Sequence, residues 1–374
     1  FVPDDETQSS GEGGWKECAA PGIKAALDPA SMPHTLVRET DGTVTFKKAE
    51  WGVRVVGDEE SAPDPSFVNK TVADFVFYRN RFGFISDTNM VLSRTGEFFE
   101  FFPSTVTTLL DTDPIDTAAA HTKVAVLRFA LVFNDKLFLF SDQTQFQLDD
   151  EVDVISPKTA ALLPVTEFEC SHLVRPVGAG KNVFFAAPRG AFTGVREYFL
   201  QDDTETTDAA DITSHAPKYL PAEVFKFAVS SNEDVLLALS RKEPSAAYVY
   251  KFFWQGNEKL QSAWCKFTFG PEAKVLNATF IETTVFFLVQ YPDGVHLEKM
   301  SIEPGRVDLD SPFLYRMDRR VTEDDVELAY DEEADTTSLV FPYTLQGTMV
   351  AATRHAEAQP RTPGISIPVV SQSG

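Results

Sequence analysis

A chain of 374 residues with 33 Lys+Arg against 56 Asp+Glu carries a formal charge of −23, which repels phosphate backbones and anionic membranes and excludes a sequence-reading DNA binder. Hydrophobic residues at 43%, with 32 Phe, supply ample core, while no apolar run reaches the roughly 18 residues of a membrane helix and the first residues lack the charged-then-apolar pattern expected of a signal peptide. Cys18, Cys170 and Cys265 suit neither a disulfide framework nor a zinc site, so free, mostly buried thiols from a reducing cytoplasm are expected.

In chain order, residues 1–14 are acidic, rich in Gly and Ser and unpatterned. With no initiator Met, and with a polar tail at 371–374, the chain reads as a piece of a longer protein. Residues 1–40 are expected to be a connector or the edge of a truncated neighbouring domain. Pro21, Pro29 and Pro33 prevent a long helix there, although 23–27 has room for a turn or two. β signal begins at Gly42, with Val44, Phe46, Trp51, Val53 and Val55 among charged residues. Residues 57–65, with two prolines and Asp58, Glu59, Glu60 and Asp64, read as a solvated loop.

The stretch 75–116 is the centre of the pattern. Phe75, Phe77, Phe82 and Phe84 lie on two arms around Arg79-Asn80, Met90 to Ser93 makes a short arm after Ser86-Asp87, and residues 98–102 are expected to return as a third apolar strand stopped by Pro103. The Phe82-Gly83-Phe84-Ile85-Ser86 theme recurs as runs ending at 141, 186, 238, 289 and 342, at intervals of 55, 45, 52, 51 and 53 residues. A period of roughly fifty falls near propeller blades, whose inner strands are buried on both faces.

Residues 247–254 and 264–269 around Gly256-Asn257 predict a hairpin, as do 286–289 and 296–302 around Asp293-Gly294. Helix signals are confined to 157–163 and 221–225. The fold class is therefore mainly β, a β-propeller-like arrangement of about six small antiparallel sheets over residues 41–345, with room for a small additional β subdomain and a C-terminal connector at 346–374. A pair of immunoglobulin-like sandwiches is the competing architecture.

Chemistry motifs are sparse. Gly178-Ala179-Gly180-Lys181 resembles part of a phosphate loop, but position 175 is Arg and Lys181 precedes Asn182, so a turn between strands is expected. Asp111, Asp113 and Asp116 would hold a hard cation if backbone carbonyls completed the shell; without the glycine and distal Glu of a calcium loop, a capped turn is favoured. Six His are never paired at metal spacing, and the acceptor patterns at Asn69 and Asn277 are read as chance. Glycoside hydrolysis would need two carboxylates about 5–10 Å apart; among 56 acids no pair stands out and the sialidase repeat is absent. No catalytic, cofactor-binding or metal residue is assigned.

Longer motifs carry more. Trp51-Gly52-Val53-Arg54 with Gly57-Asp58, Asp64-Pro65-Ser66-Phe67-Val68, Phe77 through Phe84, Asn89 through Phe99, Asp111 through Asp116, Leu139-Phe140-Ser141 with Thr144-Gln145-Phe146, Asp211 through Leu220, Tyr248 through Trp254 and Lys259 through Trp264 together resemble the tail tubular protein B, or tail nozzle, family of short-tailed DNA phages, over roughly residues 18–345. The resemblance implies a non-enzymatic virion tail component without cofactor, made in the bacterial host cytoplasm. It implies a homohexameric ring below an adaptor ring of tail tubular protein A, carrying tail fibres and passing genomic DNA through its bore without sequence-specific binding or a membrane span. A tail-associated glycan hydrolase and a non-viral propeller interaction module are the alternatives.

Overall fold

The structure, a computed structural model, describes residues 2–3, 13–122, 124–149, 155–199, 208–255, 258–302, 327–340, 349–352 and 365–368. Among them all regular structure is β. The chain divides into two compact units, Phe1–Phe227 and Ala228–Gly374.

In the first unit β1 (Val2–Pro3) pairs with β2 (Gly13–Gly14), and β3 (His34–Arg38) with β4 (Val44–Lys48). Three four-stranded antiparallel sheets follow, each in chain order as in a propeller blade. The first holds β5 (Val72–Tyr78), β6 (Arg81–Ser86), β7 (Asn89–Leu92) and β8 (Ile115–Ala118). The second holds β9 (Leu127–Phe133), β10 (Lys136–Ser141), β11 (Gln145–Leu148) and β12 (Leu162–Thr166). The third holds β13 (Val177–Ala179), β14 (Asn182–Arg189), β15 (Phe192–Phe199) and β16 (Asp208–Asp211). The tight turns obey local chemistry. Arg79 and Asn80 both take positive φ (43° and 58°), as do Asn134 and Asp135 (48° and 58°), the mirror-image geometry whose twist suits a two-residue hairpin.

The sheets stack face to face, and the second strand of each shows why. On β6 Ile85, and on β7 Met90 and Leu92, join Leu127, Leu137, Leu139 and Phe146 in one cluster, while Phe84 and Val91 turn the other way to Phe67, Phe101 and Phe102. On β10 Leu137 and Leu139 serve the first cluster, and Phe138 and Phe140 serve a third with Val183, Phe185 and Tyr198. Alternation thus fills both faces, as buried strands require. Each such ring or branched chain stabilises by about 1.5–3 kcal/mol through burial alone. At Gly83 an added Cβ would lie 2.3 Å from Leu92 Cδ2 and 2.9 Å from the Val91 carbonyl oxygen, so close strand approach requires glycine there.

A fourth four-stranded sheet contains β17 (Val224–Ser230), whose residues from Ala228 onward belong to the second unit, with β18 (Val235–Ser240), β19 (Ala246–Gln255) and β20 (Glu258–Thr268). Next come β21 (Lys274–Ile281), β22 (Thr284–Tyr291) and β23 (Gly294–Ser301), then the pairs β24 (Glu327–Asp331) with β25 (Thr336–Val340) and β26 (Met349–Ala352) with β27 (Ile365–Pro368). The six repeated runs fall on β6, β10, β14, β18, β22 and β25, in each case the second strand of its sheet. The mainly β fold of about six small antiparallel sheets is therefore as the sequence predicts. Both expected hairpins form, Trp264 pairing with Tyr250 and Gly294 with Tyr291.

Several expectations need correction. Residues 98–102 are not a strand: Arg94 accepts from Glu97 and donates to Glu100 through the backbone around Gly96 (φ 78°), and this turn folds the segment into a loop. The fourth strand is instead β8. The helical turns at 23–27 and 221–225 are absent, the latter running into β17; at 157–163 a single turn forms, the Ala160 N–H donating to the Ser156 carbonyl at 3.0 Å, before β12 begins. A strand at 34–38 precedes Gly42, and Val53 makes only an isolated bridge with Ala26. β22 is buried on one face only, with Leu288 exposed, and of the three thiols only Cys170 is buried. The turn at Gly256-Asn257, the end of the sixth run at Phe341-Pro342, residues 4–12 and most of the expected C-terminal connector lie outside the described residues.

Candidate functional site

Among the motifs that carry the family resemblance, those at Trp51–Arg54, Asp64–Val68, Phe77–Phe84 and Asn89–Phe99 meet at the face of the first sheet that bears Phe84. Trp51 packs against Phe84, Phe99 and Phe101 with ring centroids 5.8, 5.1 and 6.0 Å apart, and the Gly52 N–H donates to the Phe99 carbonyl at 2.9 Å. The buried Arg54 donates to Asp64 Oδ1 and to the Lys24 carbonyl, each at 2.7 Å, and its guanidinium lies 4.9 Å from the Phe102 ring centroid. These contacts clamp the segment before β5 onto the loop after β7. Toward solvent the cluster ends in an aromatic ridge of Phe75, Phe77, Phe98 and Phe99, all exposed, joined through Phe82. Glu100 stands beside it; burial pushes its carboxyl up, and the charge of Arg94 offsets part of that.

The Asp111–Asp116 loop is organised by a protein cation. Arg81, 2% exposed, donates from Nη1 to the carbonyls of Ser93 (2.7 Å) and Asp113 (2.6 Å) and from Nη2 to that of Asp111 (2.6 Å). The backbone oxygens that would complete a cation shell are thus engaged by a guanidinium. Burial pushes the Arg81 pKa down, and the Asp113 carboxylate offsets part of that. The side chains diverge: Asp113 Oδ2 accepts from the Leu110 N–H at 2.8 Å, whereas Asp116 accepts from the Ser66 N–H (2.8 Å) and Asn89 Nδ2 (2.9 Å). Among the described residues no three His, Cys, Asp or Glu converge as metal ligands. Sequence reasoning missed Arg81 and Arg54, although an Arg beyond the turn pair Arg79-Asn80 and directly before Phe82 was a visible signal for the first.

The expected turn between strands is there, at Gly180-Lys181 between β13 and β14, with Gly178 and Ala179 in β13, and a Cβ on Gly178 would lie 2.4 Å from the Phe133 ring. Ring packing, rather than phosphate approach, accounts for that glycine.

A cleft of about 370 Å³ is lined by Glu167, Phe168, Arg189, Gly194, Arg196 and Asp211, among others. Four of its charged groups are engaged. Arg189 pairs with Asp211, Arg196 lies 4.2 Å from the Phe168 ring centroid and donates to the Ala209 carbonyl at 2.7 Å, and Glu167 meets His121 at 3.2 Å. Burial opposes ionisation of Asp211, but hydrogen bonds from Thr213 and Arg189 outweigh it and hold its pKa below the ordinary value. The carboxyls with raised pKa, Asp74, Glu100 and Asp234, lie outside the cleft's lining. The acid and base pair of a glycosidase is not assembled by these groups.

The geometry is that of a scaffold of interlocked sheets. Sequence comparison gives the class: the profile of bacteriophage nozzle proteins matches residues 5–367, and the chain belongs to that family of virion tail proteins. Over 314 residues it is 35% identical to the tail tubular protein gp12 of Escherichia phage T7, covering 83% of this chain and 39% of that protein. The chain therefore spans about two fifths of the length of that relative. Solved structures with partial likeness include Hsv2p of Kluyveromyces lactis (TM-score 0.40, 9% identity, 73% of this chain and 87% of that one) and PorZ of Porphyromonas gingivalis (TM-score 0.35, 12% identity, 71% and 29%).

Proposed function

We propose that this chain is a wall-forming part of a tail nozzle, a non-enzymatic ring of six copies below an adaptor ring that bears tail fibres and passes genomic DNA during ejection. The observation that carries the reading is the family match across residues 5–367. Two physical features support it. Sheets stacked through two-sided strands make a stiff wall, because close-packed side chains transmit load with little give. A net charge of −23 repels phosphates, whereas a basic wall making several phosphate contacts would hold its cargo in a salt-dependent way.

Electron microscopy of the whole gene product mixed with its adaptor tests the assembly: sixfold annuli are expected, and separate monomers across the micromolar range would refute it. Gel-shift titration with duplex DNA at physiological salt tests the conduit, with no retention expected.

A further inference from the structure

The sheet β21–β23 has one packed face and one open face. Val275, Ala278, Val285, Phe287 and Val289 are buried, on the side that meets the preceding sheet. There the Phe287 ring lies 4.9 Å from that of Phe269, just beyond β20, and the Val275 N–H donates to the Pro244 carbonyl, between β18 and β19, at 2.7 Å. The register sets Leu288 opposite Leu297 and Gln290 opposite Val295, so these positions share the other face. On it Leu288, Val295 and Leu297 are all exposed, Leu297 to 70%. The second sheet shows what such a face is for. Alternate residues of β10 pack on the sheet before it in the chain and on the sheet after it.

The next repeat in the chain is the hairpin β24–β25, in which β25 carries the sixth recurring run, 53 residues beyond the fifth. Two strands alone are marginal in water. The register pairs Leu328 with Leu339 and Tyr330 with Thr337, which puts positions 328, 330, 337 and 339 on one face, where Tyr330 is 61% exposed.

We propose that β24–β25 docks, through this face, on Leu288, Val295 and Leu297 of the same chain, as the next sheet of the stack. Chain order selects the occupant. The open face of β21–β23 points away from the sheet that precedes it, where the second sheet of the chain receives its successor, and β24–β25 is the next strand pair in the same compact unit. The connection, residues 302–326, is long enough to cross the roughly 10 Å between stacked sheets. A tethered segment also competes at an effective concentration on the order of millimolar, above that of a second copy in dilute solution. The inference goes beyond the nozzle reading and does not depend on it, since the joint lies within one chain whether or not a ring forms.

The test uses the whole gene product, with the exposed Cys18 and Cys265 replaced by Ser. Leu297→Cys and Tyr330→Cys are placed in one chain, which is treated with a short bis-maleimide at low protein concentration and mapped by peptide mass spectrometry. At least tenfold more intrachain link is expected than in a chain carrying Leu260→Cys, on exposed β20, with Tyr330→Cys. Equal linkage in the two overturns the joint. Linkage at the same yield when the Leu297→Cys and Tyr330→Cys proteins are separate chains in a mixture gives the face to another copy and overturns it as well. Hydrogen exchange supplies a second readout: Leu288→Asp with Leu297→Asp should speed amide exchange across 327–340 at least tenfold while β17–β20 stays protected. Exchange there that is already unprotected in the unsubstituted protein refutes the docking. Neither readout requires annuli, so failure of the joint is distinguishable from failure of the ring.

Discussion

The Arg81 guanidinium donates to the Asp113 carbonyl at 2.6 Å across 32 positions of sequence, and by doing so ties the end of one tight turn to the loop that leads into β8. Arg81→Met should remove the donor for three backbone carbonyls. With buried acceptors each losing on the order of 1–3 kcal/mol of satisfaction, a loss of about 3 kcal/mol or more is expected in urea unfolding. Arg81→Lys should recover only part of it, because an ammonium lacks the fork that reaches several acceptors.

Asp74 gives a pH signature. Its carboxylate accepts from the Ala130 N–H at 2.9 Å and meets Arg175 at 3.1 Å, so it links β5, β9 and the residue run before β13. Burial raises its pKa, and these partners offset only part of the rise. A folded pKa above the unfolded one means that the native state binds the proton more tightly. This contribution is complete below the unfolded carboxyl value, about 3.9, and is lost as pH rises through the folded value. Relative to Asp74→Asn, the unsubstituted protein should lose stability from pH 4 toward neutrality, as read by denaturation midpoints at successive pH values. A flat difference would refute the assignment.

Burial should sort the phenylalanines. Phe84, 1% exposed between Phe67, Phe82 and Phe101, should cost about 3–5 kcal/mol when changed to Ala, as core aromatic truncations do. Phe77, 59% exposed, should cost under about 1 kcal/mol in the isolated chain. Equal losses in thermal unfolding would contradict the packing described.

The thiols should react in order of access. Cys170 is buried and pushed up to about 12, chiefly by burial, with the Asp142 carboxylate adding to it. Cys18 is exposed, and Cys265, also exposed, is raised by desolvation. Because the thiolate is the reactive form, maleimide mass spectrometry near neutral pH should label Cys18 first, Cys265 more slowly and Cys170 only after denaturation.

Much of the fold was legible because its signal is local. Runs such as Leu137-Phe138-Leu139-Phe140 announce strands buried on both sides, and Arg79-Asn80 and Asp293-Gly294 announce hairpins. What was hidden depends on distant partners. Residues 98–102 look like a strand, yet Phe99 accepts from Gly52 and Phe101 packs on Trp51, contacts that local pattern does not encode. Likewise the acids at 111–116 suggested a cation, and only the fold brings Arg81 beneath their carbonyls. The hairpin at 34–48 was half read, since its first strand sits just after Pro33, in a segment that prolines made look irregular.

Two-sided filling has a consequence for error control. Sliding β6 by one position would exchange Phe84 with Ile85, sending a ring into the aliphatic cluster and a branched chain into the aromatic one. Both neighbours would be mismatched at once, so a misaligned strand gains nothing on either flank. A chain patterned this way has one alignment that satisfies both faces and none that satisfies a single face in part.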